Sequence, residues 1–181
     1  MRFTEITLER FRNYGQETVR FHPNVNIITG QNAQGKTNLL ESLSMMSLGR
    51  SFRTGKDQEL IRFGEENCRI RATYQKEGEL ATIDIQIRRE GKSIRVDGNR
   101  IGRMSELLDG AYIVVFSPED LKIVKDEPEK RRRFIDRELC QLRPVYYSSL
   151  SRYKKVLQHR NALLRQESAD PDSLQVWDAS L

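Results

Sequence analysis

The sequence predicts an α/β fold, and three observations predict it. A β-branched stretch, Val25-Asn26-Ile27-Ile28-Thr29, runs into a glycine-bracketed loop and then into a helical pattern. Short alternating segments follow between Asn67 and Val96, the mark of antiparallel strands. Beyond Asp126 the periodicity is helical. These changes of character divide the chain into an expected α/β unit, 1–120, with an antiparallel layer at about 67–100, and an expected helical unit, 121–181.

Length and composition set the bounds. With 181 residues the chain can form one sizeable domain, or one and a part. Hydrophobic content of 37% and charged content of 31% describe a soluble, foldable composition. No apolar run approaches membrane-spanning length, and Met1-Arg2-Phe3-Thr4-Glu5-Ile6 alternates like a strand rather than a signal peptide. Cys68 and Cys140 stand far apart without metal-ligand spacing, so reduced thiols in the cytosol are the expectation. The balance of 31 Lys+Arg against 26 Asp+Glu permits a polyanionic partner without requiring one.

The elements follow in order. Residues 2–9 alternate Phe3, Ile6 and Leu8 with polar neighbours, which predicts a strand. Phe11 to Gly15 is a turn, and Glu17 to Phe21 a second strand. Val25 to Thr29 reads as a buried strand. Gly30-Gln31-Asn32-Ala33-Gln34-Gly35-Lys36-Thr37 then fits G-x-x-x-x-G-K-[ST], the phosphate-binding P-loop. Its glycines allow the tight turn that points successive amides inward at an anion. Lys36 has the reach and charge for the β- and γ-phosphates of a nucleotide, and the Thr37 hydroxyl is placed for Mg²⁺. Leu39, Leu40, Leu43 and Met46 continue at helical spacing, so a helix N-terminus adds partial positive charge at the phosphates.

Gly49 suits the helix C-terminus and opens a basic loop with Arg50, Arg53 and Lys56. Those three face nucleotide or DNA, or simply form a solvated exit. Asn67 to Tyr74, Leu80 to Arg88 and Ser93 to Val96 read as strands, with turns at Gly78, Gly91 and Gly98. From Arg88 to Arg103 six basic residues stand against two acidic ones, either a phosphate-backbone contact or protection of a sheet edge. Ala111 to Phe116 is continuously apolar and predicts a central strand. Ser117-Pro118-Glu119-Asp120 predicts a helix start, and Asp126 with Glu129 another.

In Lys130-Arg131-Arg132-Arg133, the pairs Glu129–Arg133 and Arg132–Asp136 lie at i,i+4, so pairing within the helix accounts for the charge. Ile135, Leu139 and Leu142 line that helix's apolar face. Tyr146, Leu150, Tyr153, Leu157 and Leu164 then form a seam with Arg160 in the remaining slot. Between Arg143 and Arg165 there are six basic residues and no acid, which makes Arg152, Lys154 and Lys155 the better polyanion candidates. Docking on an acidic face of the same protein is the competing reading. Leu174, Trp177 and Leu181 begin a further amphipathic segment that stops without a cap, as expected of a fragment.

A P-loop hydrolase also requires an acid for Mg²⁺ or water. Asp84 lies in a strictly alternating strand, and Glu119 and Asp120 in a helix start, so neither place suits it. A kinase or GTPase would show that acid and a base-specificity loop; neither is visible.

Phe11-Arg12-Asn13-Tyr14, Gly30 to Glu41, Gly49-Arg50-Ser51-Phe52-Arg53, Phe116 to Leu121 and Arg131 to Asp136, in that order, resemble the bacterial RecF family along the whole chain. The resemblance implies an ABC/SMC-type ATPase head. Lobe I would be a mixed sheet around the P-loop helix plus an antiparallel β layer, followed by the start of a helical lobe II. The head would be incomplete, because the family's signature motif, Walker B acid and catalytic Glu come later. It implies Mg-ATP held by Gly30 to Thr37 with Asn38 in support, and Arg12 reaching toward phosphate. The implied partners are double-stranded and gapped or junction DNA and a RecR-type mediator. Dimerisation would be driven by ATP in the whole protein, with a monomer for this fragment. Ser117-Pro118-Glu119 stands where ABC heads carry a γ-phosphate-sensing Gln.

Overall fold

The computed structural model describes residues 1–108, 112–116, 123, 127–165 and 171–180. The chain forms two compact units, 1–116 and 117–181. The sequence expectations on Ser117-Pro118-Glu119-Asp120, on Asp126 and on Leu181 lie outside the described residues.

The first unit is a six-stranded sheet in the order β2-β1-β3-β4-β5-β6. Its strands are β1 (Arg2–Phe11), β2 (Tyr14–Arg20), β3 (Asn67–Lys76), β4 (Glu79–Arg88), β5 (Gly91–Val96) and β6 (Asn99–Arg100). Every pairing is antiparallel. Period-two alternation puts Ile6 and Leu8 of β1, Ile70 and Ala72 of β3, Ile83, Ile85 and Ile87 of β4, and Ile94 of β5 on one buried face. Burying each of these Ile and Leu side chains stabilises the unit by about 1.5–3 kcal/mol. Gly78 and Gly98 turn the hairpins at φ 94° and 81°, a region closed to most side chains.

Helix α1 (Lys36–Leu48) packs Leu39, Met45 and Met46 into the same core, joined by Leu107 of the short α2 (Met104–Leu108). Leu40, expected on the buried stripe, is 46% exposed, and the small residues Ser42, Ser44 and Ser47 are buried instead. Gly49 ends α1 in the left-handed region, its N–H donating to the Met45 carbonyl at 2.8 Å.

Two strand expectations are corrected. Neither 25–29 nor 112–116 joins a ladder, and Val25, Ile27, Val114 and Phe116 are 71%, 83%, 84% and 77% exposed. A buried parallel strand needs a partner on each side. Among the described residues the sheet strands pair with one another and, through a single bridge, Phe11 with Ile61, so neither stretch has a partner strand. Asn26 instead spends its side chain on the His22 backbone, accepting from the N–H at 2.8 Å and donating to the carbonyl at 2.9 Å.

The second unit contains α3 (Pro128–Leu142), α4 (Pro144–Leu164) and α5 (Pro171–Asp178). Glu129 and Arg133 pair along α3 as the spacing predicts. Asp136, expected to take Arg132, turns to α4 and accepts from Tyr146 Oη at 2.7 Å and Lys154 Nζ at 3.4 Å. The Asp136 hydrogen bond to the phenol, with some burial, raises the Tyr146 pKa. Tyr146, Leu150, Tyr153 and Leu157 of the predicted α4 seam do share one groove with Ile135 of α3, but the seam is only partly covered. Val156 is the buried residue of α4, while Tyr153 and Leu164 are 46% and 50% exposed. Trp177 of α5 stacks on His159 of α4 with ring centroids 4.9 Å apart, and Arg160 pairs with Asp178.

Candidate functional site

The P-loop lies between the exposed 25–29 segment and α1. Its backbone alternates in hand, with φ of 145° at Gly30, 64° at Ala33 and 106° at Gly35. Such alternation turns successive amides to one side and builds a concavity for an anion. Lys36 begins α1 and folds back over the loop, its Nζ donating to the carbonyls of Gly30 at 2.7 Å and Gln31 at 2.6 Å. Thr37 and residues 31–34 are exposed, so the concavity opens to solvent. The α1 N-terminus carries no side-chain cap and no acid in its first turn, which leaves its positive end to a ligand.

The β1–β2 hairpin braces this loop. Asn13 Nδ2 donates to the Gln34 carbonyl at 3.1 Å, and Tyr14 Oη donates to the Gly35 carbonyl at 3.1 Å. Asn38 Nδ2 donates back to Asn13 Oδ1 at 2.8 Å. A Cβ on Gly35 would stand 2.8 Å from the Asn13 amide and 3.0 Å from the Tyr14 hydroxyl. Gly35 is therefore required twice, for its φ and for the closeness of the brace.

Beneath the loop is a feature that sequence reasoning left unassigned. Glu41, one turn beyond Thr37 on α1, is completely buried. Arg12 grips its carboxylate with two guanidinium nitrogens at 3.0 and 2.8 Å, and Arg53 adds a third contact at 3.3 Å. The Ser51 hydroxyl donates at 2.5 Å. Arg12 also donates to the Glu59 carbonyl at 2.8 Å, and Arg53 to Asn38 Oδ1 at 2.7 Å. Arg12 sits at φ 53°, a strained position for a non-glycine residue that this grip over-determines. The signal for Glu41 was present in the sequence: a lone acid among Leu39, Leu43, Met45 and Met46 must find a cationic partner when its helix packs.

The other expected site residues fall as follows. Arg12, Asn13, Asn38 and Arg53 line one shallow cleft with Ile61, Arg62 and Phe63. Arg12 points at Glu41, and Arg53 is shared between Asn38 and Glu41. Arg50 and Lys56 are exposed. On α4, Lys154 is paired with Asp136, whereas Arg152 and Lys155 are exposed. Asp84 is ion-paired with Arg69 on the sheet, remote in role from any metal. Among the described residues no group of three His, Cys, Asp or Glu side chains could hold a metal ion. Burial pushes the Cys68 thiol up to about 12, so it is inert packing.

A strand-derived hairpin clamped on a P-loop and its helix defines a P-loop ATPase head. A family model described as AAA domain matches residues 5–175, and the chain belongs to that family. Relatives within it carry the name RecF. The chain is 43% identical over 178 residues to the DNA replication and repair protein RecF of Alkaliphilus oremlandii, and 46% identical over 180 residues to that of Agathobacter rectalis. These alignments cover 98% and 97% of this chain but 49% and 50% of the relatives. The chain thus spans about half the length of the curated relatives it matches, their N-terminal half. A solved structure of the recombination mediator protein RecF-ATPrS in the RecFOR pathway superposes with TM-score 0.93 and 36% identity, over 99% of this chain and 50% of that one. The SMC head domain from Thermotoga maritima shares the fold at TM-score 0.51 and 20% identity, over 60% of this chain and 41% of that one. The ABC/SMC-type head expected from the sequence is therefore the fold found, and it is incomplete here.

Proposed function

We propose that this chain is the ATP-binding half-site of a RecF-type DNA replication and repair ATPase. The observation that carries the reading is the braced P-loop: left-handed Gly30 and Gly35, inward Lys36, and a hairpin holding the loop carbonyls. Gly30, Gln31, Asn32, Ala33, Gln34 and Gly35 would present amides to the phosphates, and Lys36 would exchange its two carbonyl contacts for phosphate oxygens. Mg²⁺ would be held by the exposed Thr37 hydroxyl and the phosphates, neutralising charge as the nucleotide binds. Asn38 supports the loop through Asn13, and Arg12 serves phosphate from its seat on Glu41.

In the whole protein, ATP would drive homodimerisation, and the dimer would engage double-stranded, gapped or junction DNA and a RecR-type mediator in the cytoplasm. The fragment alone would be a monomer that binds nucleotide weakly and hydrolyses it barely. The supports are the name that the RecF relatives share and the superposed RecF structure, which is that of RecF-ATPrS. Calorimetric titration of the chain with Mg-ATP tests this. Weak saturable binding that Lys36→Ala abolishes is expected, with turnover near background. Salt-dependent DNA binding indifferent to both ATP and Lys36→Ala would point instead to a nucleic-acid module with a vestigial P-loop.

A further inference from the structure

The face of the sheet opposite the core carries a line of charge that the P-loop does not use. Register places Thr7, Arg71, Asp84, Arg95 and Arg100 directly opposite one another across β1, β3, β4, β5 and β6. Asp84 is neutralised from one side: Arg69 pairs with it at 2.5 Å and Arg71 touches it at 3.4 Å. Burial works against ionisation of Asp84, but the Arg69 hydrogen bonds and the charges of both arginines outweigh it and hold the carboxyl below its usual range. Its compensation is used up there. Arg71 keeps half its side chain in solvent, and Arg95 and Arg100 are exposed.

Edge protection does not account for this row. Arg71 lies on β3 and Arg95 on β5, both with strands on either side, and of the strands that carry the row β6 alone is an edge. Arg95 and Arg100 are directly opposed like charges, an arrangement that costs stability. Among the described residues no carboxylate lies within ion-pair distance of either. By contrast Lys92, from the same basic stretch, is spent inside the fold on the Gly49 carbonyl and Asp57, both at 2.7 Å.

We infer that the Arg71–Arg95–Arg100 row is a contact surface for the phosphate backbone of duplex DNA. Three strand spacings of about 4.8 Å carry it over roughly 14 Å, the rise of about four nucleotides of one strand. Thr7, Thr18 and Gln86 on the same face are short neutral donors that suit sugar and phosphate oxygens and carry no base code. The contact would be indifferent to sequence. This inference rests on the proposed DNA-binding function and gives it residues other than Arg50, Arg53, Lys56 and the α4 cations.

The test is fluorescence anisotropy of the chain with a labelled random-sequence duplex across a salt series, with circular dichroism melts run alongside. Arg71→Gln, Arg95→Gln and Arg100→Gln together should lower the slope of log affinity against log salt by about two to three. Asp84→Asn should tighten binding several-fold while weakening the fold, the opposite sign from a residue that merely supports structure. If the triple variant melts early, Arg100→Gln at the edge gives the same reading, with a slope change of about one. An unchanged slope in variants of a parent that binds duplex overturns the surface and leaves DNA binding intact. No duplex binding by the parent overturns the surface, and leaves the DNA binding proposed for the ATP-driven dimer to be judged on the whole protein. Polyglutamate competing as well as DNA would overturn the nucleic-acid occupant.

Discussion

At the scale of single residues, the site is held by groups with very little room to change. Gly35 combines φ 106° with a Cβ direction that meets Asn13 at 2.8 Å. Gly35→Ala should therefore cost roughly 1–3 kcal/mol, measured by urea unfolding, and should weaken nucleotide binding further by displacing the brace. Glu41 is a sharper case because its carboxylate is wholly buried and takes donors from Arg12, Ser51 and Arg53. Glu41→Ala would leave Arg12 partly buried without its counter-charge. A loss of about 3 kcal/mol is expected, and thermal denaturation checks it. Glu41→Gln keeps the shape and part of the hydrogen bonding, so it should fall between the parent and the alanine variant. A glutamine variant as damaged as the alanine variant would mean that charge matters and shape does not.

At the scale of elements, the antiparallel sheet has a clean division of labour. Its inner face is aliphatic and its outer face carries ion pairs. The Asp84 pKa is lowered in the folded protein, so its pairing stabilises the sheet in full above about pH 3.8 and is lost below that value, as pH falls through the lowered folded pKa. Comparison of the parent with Asp84→Asn should show a stability gap at pH 6 that narrows below pH 3.8. A gap of constant size from pH 6 to pH 3 would show that the pair contributes nothing through its charge. The α1 helix divides its labour along its length. Its N-terminus faces the P-loop, its first turns hold Asn38 and Glu41, and its last turns close the core with Met45 and Met46.

At the scale of the molecule, nucleotide binding and folding of the first unit are linked. A ligand held only by the folded P-loop stabilises that state by mass action, about 2.7 kcal/mol at a hundredfold excess over Kd. Millimolar Mg-ATP should raise the melting transition of the 1–116 unit in scanning calorimetry, and Lys36→Ala should abolish the rise. An equal rise with Mg²⁺ and sulfate in place of ATP would reduce the site to a general anion nest.

Much of this was legible in the residues. The strand spans, the turns at Gly78, Gly91 and Gly98, the P-loop and its helix all follow from spacing and from where φ must be positive. The resemblance to RecF rested on blocks of residues and is matched by the relatives found. Less local readings fared differently. Val25 to Thr29 and the 112–116 run have strand composition, yet composition cannot supply a neighbouring strand to pair with. On α4 the predicted seam keeps Tyr146, Leu150 and Leu157 partly covered, yet the one buried residue is Val156, because packing, not periodicity, decides how much of a helix side is covered.

The order of residues along the chain settles what each segment can be, since backbone preference and apolar period act over a few residues. Which side chains meet is settled later, when the elements assemble. Arg12 reaches Glu41 across 29 residues of chain, and Arg71, Asp84, Arg95 and Arg100 share one line because four strands fall into register. Such meetings depend on the summed packing of the whole sheet and helix, which no local stretch encodes.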